Sequence, residues 1–243
     1  MLSFTIPTVF SEVTIQNDQQ YVGDDGALHV VGEIQNDLDS PLNQVLVSVI
    51  LYDENENTVD TKETSTLVNT IMPGMKGPFD LIFTNIKSEQ VKSYSLDVQY
   101  SISEPKGQVI EITSSELTRD NHNNLIISGT VENNGEITAN TVAVVATIYD
   151  RNGDVAAVSR IHPQPDYLES EEDTFFVVSI LDKNQISEVS DYTLVAESEE
   201  YAAVPEFPVG SLVLLAGSVS AYIGITRYSG KIITNLISAT HPK

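Results

Sequence analysis

Cysteine and tryptophan are both missing from these 243 residues, and basic side chains are scarce: 12 Lys and Arg stand against 35 Asp and Glu. Without cysteine there is no disulfide framework, no thiolate metal site and no cysteine nucleophile. The net charge of -23 leaves no basic face for phosphate, which excludes nucleic acid as a partner. It also argues against adsorption to anionic lipid. Catalytic fingerprints are missing as well. There is no G-x-S-x-G, no P-loop and no paired-glycine nucleotide motif. The histidines, His29, His122, His162 and His241, never fall at metal-ligand spacing and read as surface residues. No enzyme activity and no cofactor are expected. Asn-x-Ser/Thr sequons do not occur, so N-glycosylation is not indicated.

What is present is a repeat. "LHVVGEIQN" at Leu28–Asn36 matches "LIISGTVEN" at Leu125–Asn133, and "VLVSVILYDENENTV" at Val45–Val59 matches "VAVVATIYDRNGDV" at Val142–Val155. "FDLIF" from Phe79 matches "FFVVSI" around Phe176, and "YSLDV" from Tyr94 matches "YTLVA" from Tyr192. The offset is 97 residues for the first three pairs and 98 for the last. Gly32/Gly129, Asn36/Asn133, Tyr52/Tyr149, Asp53/Asp150 and Asn55/Asn152 are identical pairs. A constant offset of this kind reads as two copies of one domain. Their expected extents are 12–102 and 108–198, joined by a Pro- and Gly-bearing linker at 103–107.

Each copy reads as β-structure. Val45, Val47, Val49 and Leu51 alternate with other residues, as do Phe79, Leu81 and Phe83, and turn-rich segments separate such runs. The predicted fold is all-β: two tandem Ig-like antiparallel β-sandwiches followed by one C-terminal transmembrane helix.

On these residues each copy resembles the FxLYD domain, a β-sandwich module. The resemblance rests on "VILYDENENTV" (Val49–Val59) and "ATIYDRNGDV" (Ala146–Val155), on the upstream Gly-x-x-x-Asn pairs, and on "MPGMKGPFDLIF" (Met72–Phe83). Val49 and Ala146 stand where the family has Phe, and Ile148 replaces Leu in the second copy. The resemblance implies a fold and no shared chemistry. Tyr52 and Tyr149 are read as capping the core edge, and Asp53 and Asp150 as opening the next turn, rather than as a binding surface.

Asp53, Asn55 and Asn57 have the alternating oxygen spacing of a calcium loop. Thr58 stands where the glycine belongs, and Glu63 comes one position early for the closing glutamate. A hairpin turn is therefore preferred, and these three residues are a weak calcium candidate only. Glu169–Asp173, "ESEED", reads as a solvated loop, with diffuse divalent-cation binding on charge alone.

Both ends invite a reading as processing segments. Val209–Thr226 is 18 residues without a charge, and Arg227 and Lys231 follow at once. That length is close to the ~20 residues a membrane span needs. The basic flank predicts that residues 227–243 are a cytoplasmic tail, with the acidic domains outside. Ala216, Ser220 and Gly224 have the small-xxx-small spacing that lets helices pack closely, so homo-oligomerisation through them is an expectation. Residues 199–208 read as a stalk ending in Pro205, Glu206, Phe207 and Pro208. That motif, the span and the basic flank together resemble the archaeal PEF-type sorting signal. The resemblance implies recognition by an archaeosortase, although the segment after Lys231 is longer than such signals usually are. Residues 1–11 read as a truncated signal peptide or as a first strand.

The expected function is that of a non-catalytic, single-pass cell-surface protein presenting two Ig-like domains for adhesion, envelope structure or protein binding. The alternative is an accessory or sensory subunit of a membrane complex, whose outer part binds a partner protein or small ligand.

Overall fold

The computed structural model describes residues 12–182 and 189–205, and their regular structure is all-β but for one short 3-10 turn. The first half of the chain holds β1 (Val13–Val22), β2 (Leu28–Asn36), β3 (Leu42–Tyr52), β4 (Thr58–Ser65), β5 (Thr70–Ile71), β6 (Lys76–Phe83) and β7 (Ser93–Ile102). The second holds β8 (Ile110–Arg119), β9 (Leu125–Asn133), β10 (Ala143–Tyr149), β11 (Val155–Ile161), β12 (Asp173–Ile180), β13 (Asp191–Glu197) and β14 (Val204–Pro205). The 97-residue offset persists in the strand starts: Val13 and Ile110, Leu28 and Leu125, Thr58 and Val155, Lys76 and Asp173. Ser103–Gly107 lies between β7 and β8 without regular structure.

Each half contributes two antiparallel sheets. In the first half one sheet has the order β1-β2-β6, and in the other β3 pairs with β4, β5 and β7. In the second half the orders are β12-β9-β8 and β11-β10-β13-β14. Period-2 alternation aims one side of each sheet inward. Val30, Ile34, Val47, Val49, Phe79 and Phe83 close one core. Ile127, Val131, Val144, Ile148, Phe176 and Leu194 close the other.

The shared glycines follow from this packing. A Cβ at Gly32 would stand 2.8 Å from the Phe79 ring, and one at Gly129 would stand 2.8 Å from the Phe176 ring and collide with the Ser114 backbone oxygen. The shared asparagines are buried loop organisers. Asn36 donates to the Ser40 and Ile71 carbonyls, and Asn133 to those of Ile137 and Leu168. Buried amides of this kind are stable because both ends are satisfied. Tyr94 donates to Asp18 at 2.7 Å, and Tyr192 lies 2.9 Å from the Ser115 hydroxyl, so equivalent positions tie the two sheets of each half together.

The alternation breaks where the halves meet. All seven residues of β10 are buried, and so are most of β2. Val145, Val195 and Ala203 from the second half complete the first core, and Val31 clusters with Tyr149 and Val155. The β11-β10-β13 sheet thus has one side on its own core and the other on the outer face of β1-β2-β6. A strand covered on both faces carries a near-continuous apolar run, as "AVVATIY" does with only Thr147 interrupting it.

The expected stalk is packed over its first part. Ala202 and Ala203 are buried, Tyr201 packs on the second core, and Val204–Pro205 pairs with β13. Two small apolar residues after a Ser198-anchored turn let the chain fold back here. Residues 1–11, Glu206, Phe207, Pro208, the 209–226 segment with Ala216, Ser220 and Gly224, and the tail lie outside the described residues. Among the described residues no helix is long and apolar enough to cross a membrane.

Candidate functional site

Among the described residues the buried charge is concentrated at the seam between the halves. Glu33 sits on the outer face of β2 and is 1% exposed. A carboxylate so buried needs partners, and it has three. Tyr149 donates at 2.5 Å, Lys76 pairs at 2.7 Å, and Asn17 donates at 3.0 Å. Lys76 also stands over the Tyr149 ring, 5.9 Å from its centroid. Burial first, then the charge of Glu33, pushes the Tyr149 phenol well above its usual range, so it stays a donor. Beside this cluster lies a recess of about 270 Å³ whose lining includes Glu33, Met75, Lys76, Tyr149 and Pro205.

A second buried acid, Glu197 at the end of β13, pairs with Arg160 at 2.5 Å. Its two oxygens accept the Asn69 backbone N–H of the first half at 3.1 and 3.0 Å, and Arg160 donates to the Leu67 carbonyl. Burial raises the Glu197 carboxyl above its usual range against the opposing pull of Arg160. Gln19 donates to the Val155 carbonyl at 2.8 Å, and Gln108 to that of Ala203 at 2.6 Å. Further along the seam, His29 is 9% exposed, stacks on Tyr21, and bonds Asp80 through Nδ1 at 3.0 Å. The hydrogen bond that His29 donates to Asp80 raises the His29 pKa, with burial opposing it. His29 was expected on the surface; the second half covers the face on which it stands.

The predicted site residues separate by copy. Tyr149 enters the seam, whereas Tyr52 is half-buried on the far sheet, with its hydroxyl 3.1 Å from Ser95. Asp53 opens a turn, accepting from the backbone N–H groups of Asn55 and Asn57 at 2.8 and 2.9 Å. The Asn57 side chain also donates to it, and that contact first holds the Asp53 carboxyl below the usual range. Asn57 therefore turns its amide nitrogen, not its oxygen, toward the carboxylate. Asp150 makes the same turn with Asn152 and Asp154. Among the described residues no group of three or more His, Cys, Asp or Glu has metal-holding geometry. Pro205 lies in β14, apart from both turns.

No protein-family model matches the chain, and no curated protein sequence does. Among solved structures, a red sea bream transglutaminase aligns over 82% of this chain and 31% of its own, at 9% identity and a TM-score of 0.25. An exo-chitosanase from Amycolatopsis orientalis aligns over 79% and 26%, at 11% identity and a TM-score of 0.29. A Bacteroides uniformis β-glucuronidase aligns over 79% and 27%, at 12% identity and 0.26. The chain spans under a third of the length of each, and likenesses this slight carry no functional argument.

Proposed function

We propose that the chain is a non-catalytic, membrane-anchored surface protein whose two Ig-like, FxLYD-type sandwiches act as one stiff presenting unit. The observation that carries this reading is the seam. Two buried carboxylates, Glu33 and Glu197, are each met by donors from both sides, which favours one relative placement of the halves. Stiffness suits a spacer or a binding platform. The uncharged 209–226 segment with its basic flank supplies the anchor in this reading, and the PEF-like motif makes archaeosortase processing part of it. The accessory- or sensory-subunit reading is supported by the recess beside Glu33 and Lys76, which has room for a small ligand. Protease shaving of intact cells tests the location. Digestion of residues 12–205 from outside is the expected result. Their survival on intact cells, with digestion in lysate, would overturn it.

A further inference from the structure

The repeat identifies a face that is covered in one half and exposed in the other. The outer face of β1-β2-β6 is covered by the next copy's sheet, and Val31 is fully buried there. The equivalent outer face of the second half belongs to β8-β9-β12, where Phe175 is 61% and Val177 47% exposed. By the 97-residue offset these two stand where the first half has buried Pro78 and part-buried Asp80. The strand register adds a second observation. Asp173, Glu132 and Glu111 lie directly opposite one another on three adjacent strands. Like charges so placed destabilise a sheet. Among the described residues no cation forms an ion pair with any of them; Glu111 accepts from the Asn134 side-chain amide at 3.0 Å. The first half has Lys76, Gln35 and Thr14 at those positions.

We infer that the outer face of β8-β9-β12 docks a separate protein, one presenting an apolar sheet surface flanked by Lys or Arg. For the apolar surface the molecule itself supplies the precedent: in the first half a sheet bearing Val145, Val195 and Tyr149 fills the equivalent place. The basic flank complements the carboxylate row, whose mutual repulsion a cationic partner surface relieves. A second copy of this chain fits poorly. Face-to-face stacking would set two acidic rows together. Head-to-tail stacking would offer Ser48, Asp97 and Tyr52 where the seam uses Val145, Val195 and Tyr149. This inference deepens the protein-binding part of the proposed function and is independent of the anchor.

The test is photo-cross-linking of the full chain in the cells that naturally make it, with Phe175→benzoyl-phenylalanine and a control at exposed Ser95. The expected product is an adduct with a different protein at 175 and none at 95. The cross-linked partner peptide should carry apolar residues flanked by Lys or Arg. Val177→Asp and, separately, Glu132→Lys should each lower the adduct by about tenfold or more, as loss of a central contact does. Val177 is exposed and Glu132 half-buried, and the melting temperature of each variant checks its folding. The inference is overturned by no adduct above the Ser95 level, by an adduct of two copies of this chain, by a lipid adduct alone, or by yields that neither substitution changes. Failed shaving with a positive adduct would remove the surface location and leave the docking face; the reverse would remove the face alone.

Discussion

Tyr149 donates its hydroxyl to Glu33 at 2.5 Å across 116 residues of chain, while its counterpart Tyr52 reaches only Ser95 on a neighbouring strand. One repeated tyrosine has thus taken two roles, and the difference lies in what covers it. Replacing Tyr149 by Phe leaves a buried carboxylate one donor short, at a cost of about 1–3 kcal/mol. Tyr52→Phe should cost about 0.5 kcal/mol or less, because its hydroxyl contact with Ser95 is open to solvent. Denaturant unfolding of the two variants checks this. Equal losses would mean that the seam contact adds nothing.

The two Asp turns differ at one strained position. Glu56 has φ of 63°, and its counterpart Gly153 has φ of 89°. Only glycine adopts that region without steric cost. Glu56→Gly should therefore stabilise the protein by about 0.5–1 kcal/mol, and Gly153→Glu should destabilise it by a similar amount. Thermal melts read both. A destabilised Glu56→Gly variant would contradict the turn argument.

Gly129 is held by packing rather than by its torsion angle. A methyl group there would meet the Ser114 backbone oxygen and the Phe176 ring together. Overpacking of this kind costs about 1–3 kcal/mol or more. Gly129→Ala should lower the unfolding midpoint well beyond the change produced by Gly26→Ala, where an added Cβ meets nothing within 4 Å and only the backbone strain at φ 80° operates.

His29 makes one part of the stability depend on pH. Its folded pKa is raised, first by the hydrogen bond to Asp80. A raised folded pKa gives stability that is complete below the unfolded value, about 6.5. That stability is lost as pH rises through the folded pKa. The stability gap between the native protein and His29→Gln should therefore be larger near pH 5.5 than near pH 8.5. A gap that widens toward alkaline pH would mean that His29 is not the protonated partner of Asp80.

Much of the fold was legible in the sequence. The offset of the repeat located equivalent strands because both copies keep the same period-2 pattern, and Asp53 and Asp150 open turns as Asp commonly does. The seam was harder to see. His29, Val31 and Glu33 alternate with core residues, so they read as one solvent-facing side of β2. A covered face and a wet face have the same period, and only a third element tells them apart. One signal was available. On the outward side of β10, Val145 stands where β3 has Ser48, and that exchange of a polar for an apolar residue marks a strand covered on both sides. Position 97 carries the same contrast, with Asp97 in the first copy against Val195 in the second.

That the halves act as one unit is the claim on which the proposed presenting role rests. Native-state hydrogen exchange on the full chain measures it most directly, comparing β3 in the first half with β9 in the second. The account predicts the same opening free energy in both strands, and a parallel fall in both when Tyr149 is replaced by Phe. Two distinct opening energies, with Tyr149→Phe moving neither or only that of β9, would contradict it.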